Sequence, residues 1–175
     1  MTLAAFFNRS LMIAGTWTLL TPFALLAQEP SISPQQVEPG YEYSFPLDHG
    51  AHNNFLTEWW YFTGHLFTAE QRRFGYELTF FRRAIDDDHV TSSPSQWAIR
   101  QLYLAHFAIT DEEQTQFQYA EKISRAGIGK AGATERKLET WIDQWSVKAI
   151  DPSHRQFRLQ AEMENISIDL ITNAS

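Results

Sequence analysis

The chain has 175 residues, 43% of them hydrophobic and 14% aromatic, with a formal net charge of −7 and no cysteine. That charge, with no run of Lys or Arg, argues against nucleic acid, whose binding needs a basic patch, and the missing cysteine excludes disulfides, thiol catalysis and Cys-ligated metals. The length suits one domain, and thirteen Phe, six Trp and six Tyr supply enough large side chains for a core or a ligand cavity.

Residues 1–27 read as a signal peptide. Arg9 precedes an apolar run from Leu11 to Leu26, broken by Gly15, Thr16, Thr18, Thr21 and Pro22. Such a run is too interrupted for a membrane span, which needs about 20 mostly apolar residues. Cleavage after Ala27 places the mature protein in the periplasm or the medium; an uncleaved anchor is the alternative. Residues 28–44 form a Pro-rich linker with Pro30, Pro34 and Pro39. The folded domain is expected over 45–175, with Tyr41 to Phe45 a short edge strand ended by Pro46.

The best strand pattern follows. Glu58 to Leu66 and Phe74 to Phe81 are aromatic-rich runs joined by a polar segment from Thr68 to Arg73, the signature of a β-hairpin. Trp60, Phe62, Gly64 and Leu66 share one face of the first run, opposite Trp59, Tyr61, Thr63 and His65. Asp86, Asp87 and Asp88 open a polar loop reaching Gln96. A solvated turn is favoured there over a calcium site, because the EF-hand spacing is missing. Trp97 to Thr110 is apolar on both faces, as for a strand between two packing layers. Phe117 to Ala120 begin a short strand, and Gly127, Gly129 and Gly132 break the pattern. Trp141 to Lys148 alternate as one strand, Phe157 to Met163 as the next and Ile166 to Leu170 as the last, with a tight turn at Glu164 and Asn165. About seven strands without a long helix predict an antiparallel barrel or sandwich. A last strand exposed at an edge is expected to make the chain self-associate.

Three groups of residues can carry chemistry. His49 and His52, with Asp48 and Glu58 nearby, are zinc-ligand types, but their spacing is not that of a helical site, and histidines capping a loop are the favoured reading. Trp59, Tyr61 and His65 are expected to line a cavity, with Trp60 and Phe62 packed outside; the alternative makes both tryptophans core. Tyr103 and Trp145 complete the expected aromatic lining. Glu77, on a strand otherwise rich in aromatics, is either a cavity carboxyl able to donate a proton or, the favoured reading, the partner of Arg82, Arg83 or Arg100. The candidate ligand-binding set is thus Trp59, Tyr61, His65, Glu77, Tyr103 and Trp145.

FPLDHGAHNNFLTEWWYFTGHL from Phe45, RRFGYELTFFR from Arg72, QLYLAHFAIT at 101–110 and SRAGIGKAGA at 124–133 together resemble the opening half of the hydroxyneurosporene synthase (carotenoid 1,2-hydratase) and AttH-like secreted family. The resemblance implies an all-β, lipocalin-like (calycin-type) antiparallel barrel, the first of two barrel-like halves, with the C-terminal half as its partner. For some members it implies addition of water to an isolated C=C bond of an acyclic carotenoid, with neither metal nor redox cofactor. The family's acid–base candidates lie mostly in the second half, so no catalytic residue is carried over, and Glu58, Glu77, Asp143 and His65 stand only as cavity candidates. The expected function is binding of an apolar lipid- or isoprenoid-like small molecule, with membrane-surface proximity compatible with such a ligand. The domain is then half of a cofactor-free hydratase, or alternatively a non-catalytic lipid-binding or structural module working with a transport system.

Overall fold

The computed structural model describes residues 34–173 except 86, 88, 89, 91 and 96. The signal-peptide reading over 1–27 and most of the acidic loop's Asp86 to His89 lie outside the described residues.

Two antiparallel meanders make up the fold. Strands β1 (Thr57–Phe67), β2 (Arg73–Ala84), β3 (Gln101–Asp111) and β4 (Gln116–Arg125) form a four-stranded sheet in chain order. Strands β5 (Ala131–Ala133), β6 (Glu139–Ile142), β7 (Trp145–Ala149), β8 (Gln156–Met163) and β9 (Ile166–Asn173) form a five-stranded one. The expected all-β, antiparallel, lipocalin-like fold is therefore present, built as two sheets whose ladders do not join into one ring among the described residues.

The sheets meet through one shared core. On β3 alternate residues Tyr103, Ala105, Phe107 and Ile109 are buried, and on β7 Trp145 and Val147 face them. Phe107 and Trp145 meet edge to face, with ring centroids 5.9 Å apart and planes at 82°. These buried side chains pack together between the sheets.

Three elements differ from the sequence reading. The run 141–148 is not one strand but the hairpin β6–β7. Ile142 pairs with Trp145, leaving Asp143 and Gln144 as a two-residue loop. Asp143 adopts φ 53°, a left-handed conformation that Asp tolerates better than most residues. The loop shifts the alternation, so buried Ile142 and Trp145 share the packed face although they are three apart. The glycine-rich break hides β5. Gly132 pairs with Trp141, and a Cβ there would lie 2.7 Å from the Trp141 ring; the glycine is needed so that the indole can lie over the strand. Tyr41 to Phe45 form no strand; Tyr41, Tyr43, Phe45 and His49 instead make a chain of ring contacts that reaches Phe157.

Candidate functional site

The opening polar cluster builds a clasp at one end of the four-stranded sheet. Register places Glu58 of β1 opposite Arg82 of β2 on the packed face. The Arg82 side chain is 0% exposed. It donates to Glu58 Oε2 at 3.3 Å and to the carbonyls of His52 and Phe55 at 2.9 and 2.8 Å. His52 lies between two carboxylates, Nδ1 2.7 Å from Glu58 and Nε2 3.1 Å from Asp48. Burial pushes its imidazole pKa down, but the bonds to Asp48 and Glu58 outweigh this and raise it. Asp48, held by the Ser44 backbone N–H and then by His52 and Tyr41, is lowered to about 2. The expectation that both histidines cap a loop through backbone bonds is thus corrected for His52, whose ring binds carboxylates. His49 turns away, its ring against Phe45 and Phe157. Among the described residues no group of three or more His, Asp or Glu is placed to hold a metal ion. Every ring nitrogen and carboxylate of the clasp is engaged, which marks it as structural.

The other face of the same sheet is different. The pairing of β1 to β4 sets its outward side chains in rows. One row is Trp59, Phe81, Leu104 and Ile123, an apolar band across all four strands. The next holds Tyr61, Thr79, His106 and Glu121. Then come Thr63, Glu77, Ala108 and Tyr119, followed by His65, Gly75, Thr110 and Phe117. Trp59 is 63% exposed while its neighbour Trp60 is 9% exposed. The sequence reading had these two reversed. Both faces of β1 are aromatic, so alternation alone cannot say which is packed; the Glu58–Arg82 pair, buried on the side of Trp60, settles it.

In the last two rows the small residues leave a groove of about 270 Å³. Gly75, Ala108 and Thr110 form its floor, His65 one wall and Phe117 the other, with Glu77 at one end. Phe117 stacks on Tyr119 at 5.8 Å. Glu77 accepts a hydrogen bond from the Thr79 hydroxyl at 3.0 Å. The favoured pairing of Glu77 with an arginine is not found. Arg82 belongs to Glu58, Arg83 donates to the Thr57 hydroxyl, and Arg100 donates to the carbonyls of Ser93 and Ser95. Two larger hollows, one beside Asn53 and His154 and one between Arg72 and Glu113, are lined mostly by polar side chains of loops.

The six candidate binding residues therefore divide. Trp59, Tyr61, His65 and Glu77 share the outer face, whereas Tyr103 and Trp145 lie in the core, each 1% exposed. Among the acid–base candidates, Glu58 is tied to Arg82, and Asp143 stands exposed at the β6–β7 turn. His65 sits between Arg73 and Glu112. Only Glu77 lies at the groove without a charged partner among the described residues. The sequence reading missed Phe81, Leu104, Phe117, Tyr119 and Ile123 as parts of this face. Following the alternation of β4 beyond Ala120, where Phe117, Tyr119, Glu121 and Ile123 fall on one side, would have found its far wall.

Comparison with known proteins agrees with this architecture. No curated protein matches the chain. A solved structure assigned to AttH, from Nitrosomonas europaea, is similar, with 34% identity and a TM-score of 0.65 over 79% of this chain. The match covers 39% of that protein, so the chain spans well under half the length of this relative. The family pattern described as AttH-like matches residues 36–175, most of the chain and all of both sheets. The chain belongs to the AttH-like family.

Proposed function

We propose that this AttH-like chain is a binding module for an apolar, lipid- or isoprenoid-like ligand, held on the outer face of the four-stranded sheet. The observation that carries this reading is the band Trp59, Phe81, Leu104 and Ile123, an unbroken apolar strip with exposed Tyr61 in the next row and exposed Tyr119 and Phe117 two and three rows from the band on the same face. Isolated exposed apolar residues are ordinary, but a contiguous apolar surface rimmed by polar groups marks a place where something binds. Covering about 100 Å² of a Trp or Tyr ring is worth about 2.5 kcal/mol at 25 cal/mol per Å², so two or three such rings contribute about 5–7.5 kcal/mol before association costs, and the rest of the affinity comes from the ligand's contacts with Leu104 and Ile123. Burial of Tyr103 and Trp145 within the packed core supports the outer face rather than the space between the sheets as the binding surface. Long-chain fatty alcohols and linear isoprenoids are expected to quench tryptophan emission, and Trp59→Ala to weaken binding about tenfold or more. Unchanged emission across that panel overturns the reading.

A second reading, hydration of an isolated C=C bond, is favoured by the position of Glu77 beside an aromatic wall. In it the Glu77 carboxyl protonates the alkene, the carbocation is stabilised by the Phe117 ring, water adds to the cation, and its proton returns to the carboxylate. An acyclic isoprenoid incubated with the protein then gains the mass of one water, and Glu77→Gln abolishes the gain. Recovery of unaltered isoprenoid contradicts hydration and leaves binding alone.

A further inference from the structure

We propose that the groove at Glu77 takes a cationic head group, an alkylammonium, whose tail lies along the apolar band; the inference rests on the binding reading and on an ionised Glu77. Charge bookkeeping on this part of the sheet leads to it. His65 Nδ1 lies 3.4 Å and Arg73 Nε 3.1 Å from Glu112, and His106 Nε2 lies 3.3 Å from Glu121. Each of these ionisable side chains around the groove thus has a partner among the others, Glu112 serving both His65 and Arg73. Glu77 has none among the described residues. Its cross-strand neighbours are Thr63 and Ala108, both uncharged, and its one described bond is from the Thr79 hydroxyl.

A half-buried carboxylate without a counter-ion is a site for a cation that comes from outside. The groove offers that cation a second contact. Phe117 forms its wall, exposed and backed by Tyr119, and a cation within about 6 Å of an aromatic face is attracted by the ring quadrupole. Carboxylate plus aromatic face, over a floor of Gly75 and Ala108 that leaves room, is the chemistry that recognises substituted ammonium groups. An anionic head is disfavoured by Glu77 itself, and the chain's net charge of −7 draws cations toward it. Length also fits an amphiphile. Glu77 and Phe81 are four residues apart on β2, which is about 13 Å along the strand, so head site and tail band are separate and only an extended chain reaches both.

Three probes with one tail test this: dodecyltrimethylammonium, dodecanol and dodecanoate, titrated calorimetrically below the concentrations at which they form micelles. The ammonium is expected to bind about tenfold tighter than the alcohol, and the carboxylate more weakly than either. Glu77→Gln should cut the ratio of ammonium to alcohol affinity severalfold, leaving only what the Phe117 ring supplies, whereas Glu77→Asp, which keeps the charge, retains most of the preference. Phe117→Ala should lower the ratio too. Equal affinities for the ammonium and the alcohol, or a preference that Glu77→Gln leaves undiminished, overturn the head-group inference while the apolar site stands. Failure of both the alcohol and the ammonium to bind overturns the apolar site and this inference together.

Discussion

Glu58→Ala should lower the free energy of unfolding by about 3–5 kcal/mol, far more than an ordinary surface ion pair contributes. The Arg82 side chain is fully buried and the Glu58 side chain is 14% exposed, so the substitution leaves a guanidinium inside the protein with only the His52 and Phe55 carbonyls for company. Arg82 Nη1 is buried and already without a partner, which leaves no reserve of hydrogen bonds. The same substitution frees the His52 backbone N–H, which donates to both Glu58 oxygens at 3.0 Å, and so loosens the segment before β1. Chemical denaturation of both proteins measures the difference. Replacing both partners together, Glu58→Leu with Arg82→Met, should recover much of the loss, because no charge is then stranded. A loss below about 1 kcal/mol for the single substitution would mean that water reaches Arg82.

Trp145→Ala should cost a similar amount, about 3–5 kcal/mol, as for other fully buried aromatics. Its ring packs edge-on against Phe107 from the opposite sheet, and Lys122 Nζ of β4 lies 4.9 Å from its centroid. Its indole N–H donates to the Glu162 carbonyl at 3.0 Å. The substitution therefore removes sheet-to-sheet contact and leaves a carbonyl without its donor. Trp145→Phe keeps the ring and should lose less. Calorimetric unfolding decides between this and the lining role expected from sequence. A variant with near-normal stability but no ligand binding would put the ligand between the sheets.

The architecture was legible where side-chain alternation is strict and the turns are chemically marked. The β1–β2 hairpin and the Glu164–Asn165 turn between β8 and β9 both follow from period-two patterns with polar breaks. What failed was phase. At Asp143 a two-residue turn interrupts a run that still alternates, so reading straight through it joined β6 to β7. At Trp59 and Trp60 both faces carry aromatics, and the deciding fact, burial of Arg82 against Glu58, is a contact between strands. The site shows the same limit. His65 and Glu77 reach the same groove, one row apart, because β1 and β2 pair, which the hairpin suggests. Phe117 reaches the same groove only through the register of β3 with β4, across a loop whose length alone does not set that register.

The claim that the outer face of the four-stranded sheet is the binding surface is tested most directly by the indole N–H signals of the tryptophans during titration with dodecanol, followed by nuclear magnetic resonance. Dodecanol carries no charge, so the result does not depend on Glu77. The Trp59 indole, on the apolar band, should shift in proportion to occupancy. Those of Trp60, bonded to the His49 carbonyl at 3.2 Å, and of Trp145, bonded to Glu162, should stay in place. Shifts at Trp60 and Trp145 with Trp59 unmoved, or no shift at any indole, would contradict the account.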